Sequence, residues 1–130
     1  MRLILVRHGE TDWNSQSRVQ GQSDVELNEV GREQAAALAL RLKEERFAAL
    51  YTSPLKRALE TAQAINRFHD VEVIIEDGLK EMNLGELDGL VIAEIKSRYG
   101  SFWQRWRSDS CASVIFPQGE SLQQLQERAW

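Results

Sequence analysis

The sequence predicts an α/β fold, and three observations carry that expectation. Short apolar runs at Leu3–Val6, Phe47–Tyr51 and Val71–Ile75 have the length of buried strands, the last of them rich in β-branched residues. Between these runs, two stretches repeat apolar residues at helical spacing, from Asn28 to about Arg46 and from Pro54 to about Phe68. The first run leads straight into Arg7-His8-Gly9, at the kind of sheet edge where open α/β folds bind ligands.

A chain of 130 residues holds one domain with a real core, and 42% hydrophobic with 28% charged content is that of a globular protein. No repeat, low-complexity segment or linker divides it. The apolar runs are far too short to span a bilayer and the N-terminus lacks the apolar core of a signal peptide. The expected setting is therefore cytoplasmic, with no membrane partner. Cys111 is the sole cysteine, so no internal disulfide forms, and with only His8 and His69 available a zinc site has too few ligands. A net charge of −4 argues against nucleic acid as a partner, because phosphate backbones need a basic face. It leaves a phosphate monoester open, since a few arginines can set the potential of one pocket.

Arg7-His8-Gly9 reads as the start of a phosphoryl-transfer site. An imidazole whose attacking nitrogen is unprotonated is a good nucleophile toward phosphorus, and the adjacent guanidinium offers a rigid fork of donors to phosphate oxygens. Alone, a three-residue match is weak, because a lone histidine is more often structural; partners further along must supply the rest.

Glu10 to Asp24 has neither helical nor alternating periodicity and is expected to be a loop over the mouth of the site. Trp13 packs it down, and Asn14 either caps a turn or touches a ligand. The first long helix takes Asn28 as its N-cap and buries Ala35, Leu38, Ala39 and Leu42. Thr52-Ser53-Pro54 then ends the second strand with a cap residue followed by proline at the first helical position, and the helix it opens buries Leu55, Ala58, Leu59, Ala62 and Ile65.

Lys56 and Arg57 fall in the first turn of that helix, where cations oppose the macrodipole by roughly 0.3–1 kcal/mol each. A locally unfavourable choice often marks function. Lys56 reads as a solvated charge, Arg57 as a second anion-binding group beside the helix N-terminus. After the third strand, Asp77-Gly78 turns the chain into the irregular Leu79–Gly89, which carries Glu81, Glu86 and Asp88. Carboxylates on a loop are usually solvated, yet chemistry on His8 needs an acid for the leaving oxygen, and Glu81 is placed to supply it. Val91–Tyr99 is expected to be a helix with Ile92 and Ile95 inward. Phe102, Trp103 and Trp106 are better read as core than as pocket wall. Ser108–Gln118 should be a loop, and Leu122, Leu125 and Ala129 the inner side of a last helix.

Together these pieces resemble the histidine phosphatase superfamily in its phosphoglycerate mutase-like branch. The residues that carry the resemblance run the length of the chain. They are Arg7-His8-Gly9-Glu10-Thr11, Trp13-Asn14, Gly21, Asp24, Gly31 and Gln34 within Leu27–Ala35, Ser53-Pro54, Arg57-Ala58, Thr61-Ala62, Glu81, Gly85, Gly89 and Gly119-Glu120-Ser121. The resemblance implies a three-layer α/β/α sandwich with a mostly parallel central sheet, forming one domain over residues 1–130 that is incomplete at its C-terminus. It also implies that His8 attacks phosphorus to form phosphohistidine, that Arg7 and Arg57 bind the phosphoryl oxygens, and that Glu81 is the general acid that later helps water attack. Asn14, Gln20 and Gly21 match positions lining the phosphate or substrate pocket. For His8 to attack, its other ring nitrogen must keep a proton and donate it to a backbone carbonyl. No metal or organic cofactor is implied. The implied partner is a small-molecule phosphate monoester, and a homodimer stays open as an assembly. The compact stretch from Glu81 to Ile95 is more similar to phosphatase members, alpha-ribazole and broad-specificity phosphatases among them, than to glycolytic mutases, so hydrolysis is expected over mutase chemistry.

One feature of the family has no counterpart: a second catalytic histidine followed by glycine, beyond the Gly119-Glu120-Ser121 helix. His69 does not match it. The expectation is therefore a fragment of a longer protein with poor activity by itself. The alternatives are a partner chain that fills the gap and a remnant that binds phosphate without turning it over.

Overall fold

A computed structural model describes residues 2–108 and 110–130, which divide into two compact units. The first takes the chain up to Asp12 together with Asp24–Glu76, and the second takes Trp13–Ser23 together with Asp77–Trp130. Helix α1 (Asp12–Ser15) puts a single helical turn into the stretch expected to be all loop. One turn is too short to show a period, and Asp12 at its start complements the N-terminal amides.

In the first unit, α2 (Glu29–Leu42) begins as expected, with the Asn28 side chain accepting from the Gly31 amide at 2.8 Å. It stops short of Arg46. Glu44 and Glu45 would set carboxylates against the negative end of the macrodipole, and Glu45 pairs instead with Arg2. Strand β1 (Leu50–Thr52) pairs in parallel with β2 (Val73–Ile75), Tyr51 lying opposite Ile74, and α3 (Lys56–Asn66) is the crossover between them. Helices α2 and α3 pack together, their buried residues including Ala35, Ala39, Ala62 and Ile65.

Two expectations fail in this unit. Leu3–Val6 is not a buried strand: it has no regular secondary structure, and Leu3 and Leu5 are 74% and 86% exposed. An apolar run sets what a segment would bury, but a strand needs a neighbour to complete its ladder, and among the described residues β1–β2 is the only sheet. Nor does α3 begin at Pro54. The Ser53 hydroxyl accepts from the Leu55 amide at 3.3 Å, which spends that cap on a turn before the helix. The amide of Lys56 is capped by Asp24, whose Oδ1 accepts from it at 2.7 Å.

The second unit is built from short helices: 3₁₀ turns at Asp77–Leu79 and Gly85–Leu87, α4 (Ile92–Arg98), α5 (Gly100–Trp106), a 3₁₀ turn at Cys111–Ser113, and α6 (Leu122–Ala129). Its core is Met82, Leu87, Ile95, Phe102 and Phe116. Phe102 and Trp106 both meet Phe116 edge-on, at 4.8 and 4.7 Å between ring centres, so the aromatic cluster is core as expected. Ile92 and Ala129 are exposed, against expectation, because each sits at the end of its helix where no adjoining turn covers it. Ser121 and Gln124 form a reciprocal capping box at the start of α6. Within the expected loop Ser108–Gln118, Asp109 lies outside the described residues. Among the described residues, no helix is long and apolar enough to cross a membrane.

Candidate active site

The loop Arg7-His8-Gly9 is seated between two helices of its unit. On one side the Gly9 amide donates to Thr61 Oγ1 of α3 at 3.2 Å, and Thr61 donates in turn to the Arg57 carbonyl at 2.8 Å. On the other side the loop meets α2 backbone to backbone. A Cβ on Gly9 would stand 2.3 Å from the Gly31 carbonyl oxygen, and one on Gly31 would stand 2.0 Å from that of Glu10. Neither position has room for a side chain. Glu10 completes the seat: its amide donates to Gln34 Oε1 at 2.9 Å, its carbonyl accepts from the Asn28 amide at 3.0 Å, and its carboxylate accepts from Asn28 Nδ2 at 2.9 Å.

His8 is half-buried on this seat, its Nδ1 2.7 Å from the Gly9 carbonyl oxygen. A carbonyl can only accept, so in the neutral ring Nδ1 carries the proton and Nε2 the lone pair. That is the tautomer nucleophilic attack requires. Arg7, His8, Gln34 and Thr61 line a small recess with Ala35 and Leu38. Arg57 is 2% exposed in the first turn of α3, whereas its neighbour Lys56 is exposed. A guanidinium is buried in that way only where its donors are satisfied. Thr61, bonded to both Gly9 and Arg57, ties the histidine loop to the helix that presents this arginine.

In the second unit, Trp13 packs against Gly89, where a Cβ would lie 2.9 Å from the indole ring and where φ is +85°. The chain then runs antiparallel to the segment around Val91, the Val19 amide donating to Leu90 and the Gly89 amide donating to Val19. Asn14 and Gln20 are half-buried on this segment and Gly21 is buried. Asp88 is not merely solvated. Its carboxylate accepts from the Gly21 amide at 2.8 Å, the Ser23 amide at 2.9 Å and the Ser23 hydroxyl at 2.8 Å, which fixes the backbone that follows Gln20.

Glu81 is exposed on irregular chain, and its Oε1 accepts from the Met82 amide at 2.7 Å. The Glu81 carbonyl accepts from Arg128 Nη2 at 2.9 Å, and Arg128 Nη1 donates to the Gly78 carbonyl at 2.7 Å. Arg128 also forks onto Glu120, through Nε at 3.0 Å and Nη2 at 2.7 Å. Hydrogen bonds from Arg128 hold the Glu120 carboxyl below the usual carboxylate range, and the same pairing raises Arg128. Sequence reasoning used Glu120 only within a motif and missed Arg128. The available signal was an arginine eight residues beyond that glutamate. Of the expected site residues, Arg7, His8 and Arg57 belong to the first unit, and Asn14, Gln20, Gly21 and Glu81 to the second.

Residues 3–130 match the model of the histidine phosphatase superfamily, branch 1. The chain is 41% identical over 128 residues to phosphoglycerate mutase-like protein 4 of Arabidopsis thaliana, covering 97% of this chain and 56% of that protein. It is 39% identical over 128 residues to phosphoserine phosphatase 1 of Hydrogenobacter thermophilus, covering 98% of this chain and 60% of the relative. The crystal structure of the alpha-ribazole phosphatase from Shigella flexneri superposes with a TM-score of 0.85 at 27% identity, over 95% of this chain and 60% of that one. These likenesses show an α/β fold of the phosphoglycerate mutase-like type, and the chain spans little more than half the length of the proteins it matches.

Proposed function

The chain belongs to branch 1 of the histidine phosphatase superfamily, and from that premise we propose that it serves hydrolysis of a small phosphate monoester through a phosphohistidine on His8. The observation that carries the proposal is the 2.7 Å contact between His8 Nδ1 and the Gly9 carbonyl, which puts the ring proton on Nδ1 and the lone pair on Nε2, the tautomer that attacks phosphorus. In the first step Nε2 attacks, the bond from phosphorus to the ester oxygen breaks, and Glu81 gives its proton to the departing oxygen. Arg7 and Arg57 hold the phosphoryl oxygens, a guanidinium fork being matched to that geometry. In the second step Glu81 takes a proton from water, water attacks phosphorus, the N–P bond breaks and inorganic phosphate leaves. Throughout, the Gly9 carbonyl accepts from Nδ1 and stabilises the cationic phosphorylated ring. Asn14, Gln20 and Gly21 line the substrate pocket in this reading. A cytoplasmic location belongs to the same proposal, supported by a single cysteine in 130 residues.

A phosphoglycerate mutase is the second reading, favoured by the mutase-like name of a 41% identical relative. Binding of phosphate without turnover is the third. Brief mixing with a ³²P-labelled monoester, followed by quenching in base, separates the three. The proposal expects a base-stable, acid-labile label that passes to water and is absent from His8→Ala. Transfer of the label to a monophosphoglycerate marks a mutase. Phosphate or vanadate binding without any label marks a binding protein.

A further inference from the structure

We propose that Arg128 and Glu120 form a positioning pair that holds Glu81 where a general acid is needed, an inference that rests on the role given to Glu81 above. Glu81 sits on chain with no regular structure, so neither a helix nor a strand fixes it. The pair supplies the missing constraint. Arg128 takes the carbonyls of Gly78 and Glu81 at 2.7 and 2.9 Å, while Glu120 Oε1 accepts from the Asn83 amide at 2.7 Å. One half-buried ion pair thereby grips the chain on both sides of Glu81 as well as at its own carbonyl. The two side chains are only 26% and 14% exposed, so water screens them less than an ordinary surface pair. Approach is close in backbone too, because a Cβ on Gly78 would lie 2.5 Å from the Arg128 carbonyl oxygen. A planar fork can reach two carbonyls and a carboxylate at once, which a lysine ammonium on a flexible stem cannot do with the same geometry.

The consequence is selective. Loosening the stretch misplaces the proton donor, and in the first step, phosphorylation of His8, it slows only reactions whose leaving oxygen needs that proton; the second step is common to all substrates and is left out of the comparison. An alkyl phosphate needs it, whereas an aryl phosphate with strong electron-withdrawing groups expels a stable anion without it. The test measures the single-turnover rate of His8 phosphorylation and its half-saturating concentration for both substrates in the wild type, Glu81→Gln, Arg128→Ala, Arg128→Lys and Glu120→Gln, with hydrogen exchange followed at the Met82 and Asn83 amides. Arg128→Ala should lower the phosphorylation rate on the alkyl substrate by about ten- to hundredfold, part of what general acid catalysis supplies, with the half-saturating concentration little changed and phosphorylation by the aryl substrate slowed by less than about threefold. Arg128→Lys should recover only part of the loss. Exchange at Met82 and Asn83 should accelerate while the Val19 and Gly89 amides keep their protection. If Arg128→Ala does not fold, Glu120→Gln provides the same comparison.

Equal slowing of His8 phosphorylation by both substrates, or unchanged exchange at Met82 and Asn83, overturns the positioning role. A Glu81→Gln variant with no preference between leaving groups instead overturns the role of Glu81 itself. If the wild type turns over neither substrate, the proposed function has failed, and the exchange data still decide whether the pair holds the stretch.

Discussion

Gly9 and Gly31 stand back to back, a Cβ on the first lying 2.3 Å from the carbonyl oxygen of the second, so the histidine loop can rest on α2 only while both lack side chains. Alanine in a helix is ordinarily better than glycine by about 1 kcal/mol, which would favour Gly31→Ala. Here the backbone contact reverses the sign. Gly31→Ala should destabilise the protein by about 1–3 kcal/mol, the usual cost of forcing atoms into a filled space, and should slow labelling of His8. A shift of the urea midpoint with the quenched labelling rate checks both.

Asp24 caps α3 from 32 residues upstream, one residue before Arg57. Asp24→Ala should cost about 0.5–2 kcal/mol, as for other lost N-caps, while Asp24→Asn should restore most of it because asparagine caps as well. Urea unfolding of the two variants decides. Equal losses would mean that charge, rather than the hydrogen bond, is what Asp24 contributes.

Asp88→Ala removes three acceptor contacts to Gly21 and Ser23. The amides left behind should cost about 1–3 kcal/mol in total if any stays dry, and the loop should open first. Faster hydrogen exchange at Gly21 and Ser23, with the β1–β2 amides unchanged, is the expected outcome.

The Glu120–Arg128 pair carries a pH dependence of definite sign. Arg128 holds the folded carboxyl below its ordinary value of 4.5, so the pair's contribution is complete above that value and is lost as pH falls through the lower, folded one. Stability should therefore drop on the acid side, below about pH 4.5. Glu120→Gln should be less stable at neutral pH and should flatten that limb in melts taken between pH 3 and 7.

The parts written locally were legible in the sequence. Asn28 caps its helix as composition suggests, the βαβ crossover follows the alternation of apolar runs and helical stripes, and burial separates Arg57 from Lys56, two cations to which the macrodipole argument applies alike. What a residue meets across the chain was not legible. Leu3–Val6 has a strand's composition but, among the described residues, no strand beside it, Ser53 looks like the cap that Asp24 provides, and Asp88 looks solvated until the loop bearing Gly21 folds onto it. Arg128 was missed for the same reason: apart from Glu120 its partners are backbone carbonyls, and every residue has one.

The account turns on which nitrogen of His8 meets phosphorus. Protein labelled with ¹⁵N-histidine, mixed with substrate, quenched in base and examined by ¹⁵N and ³¹P NMR reads this directly. The prediction is a single phosphorylated histidine at position 8 with phosphorus on Nε2, and none in His8→Ala. Phosphorus on Nδ1, a label on His69, or no phosphohistidine at all would contradict it.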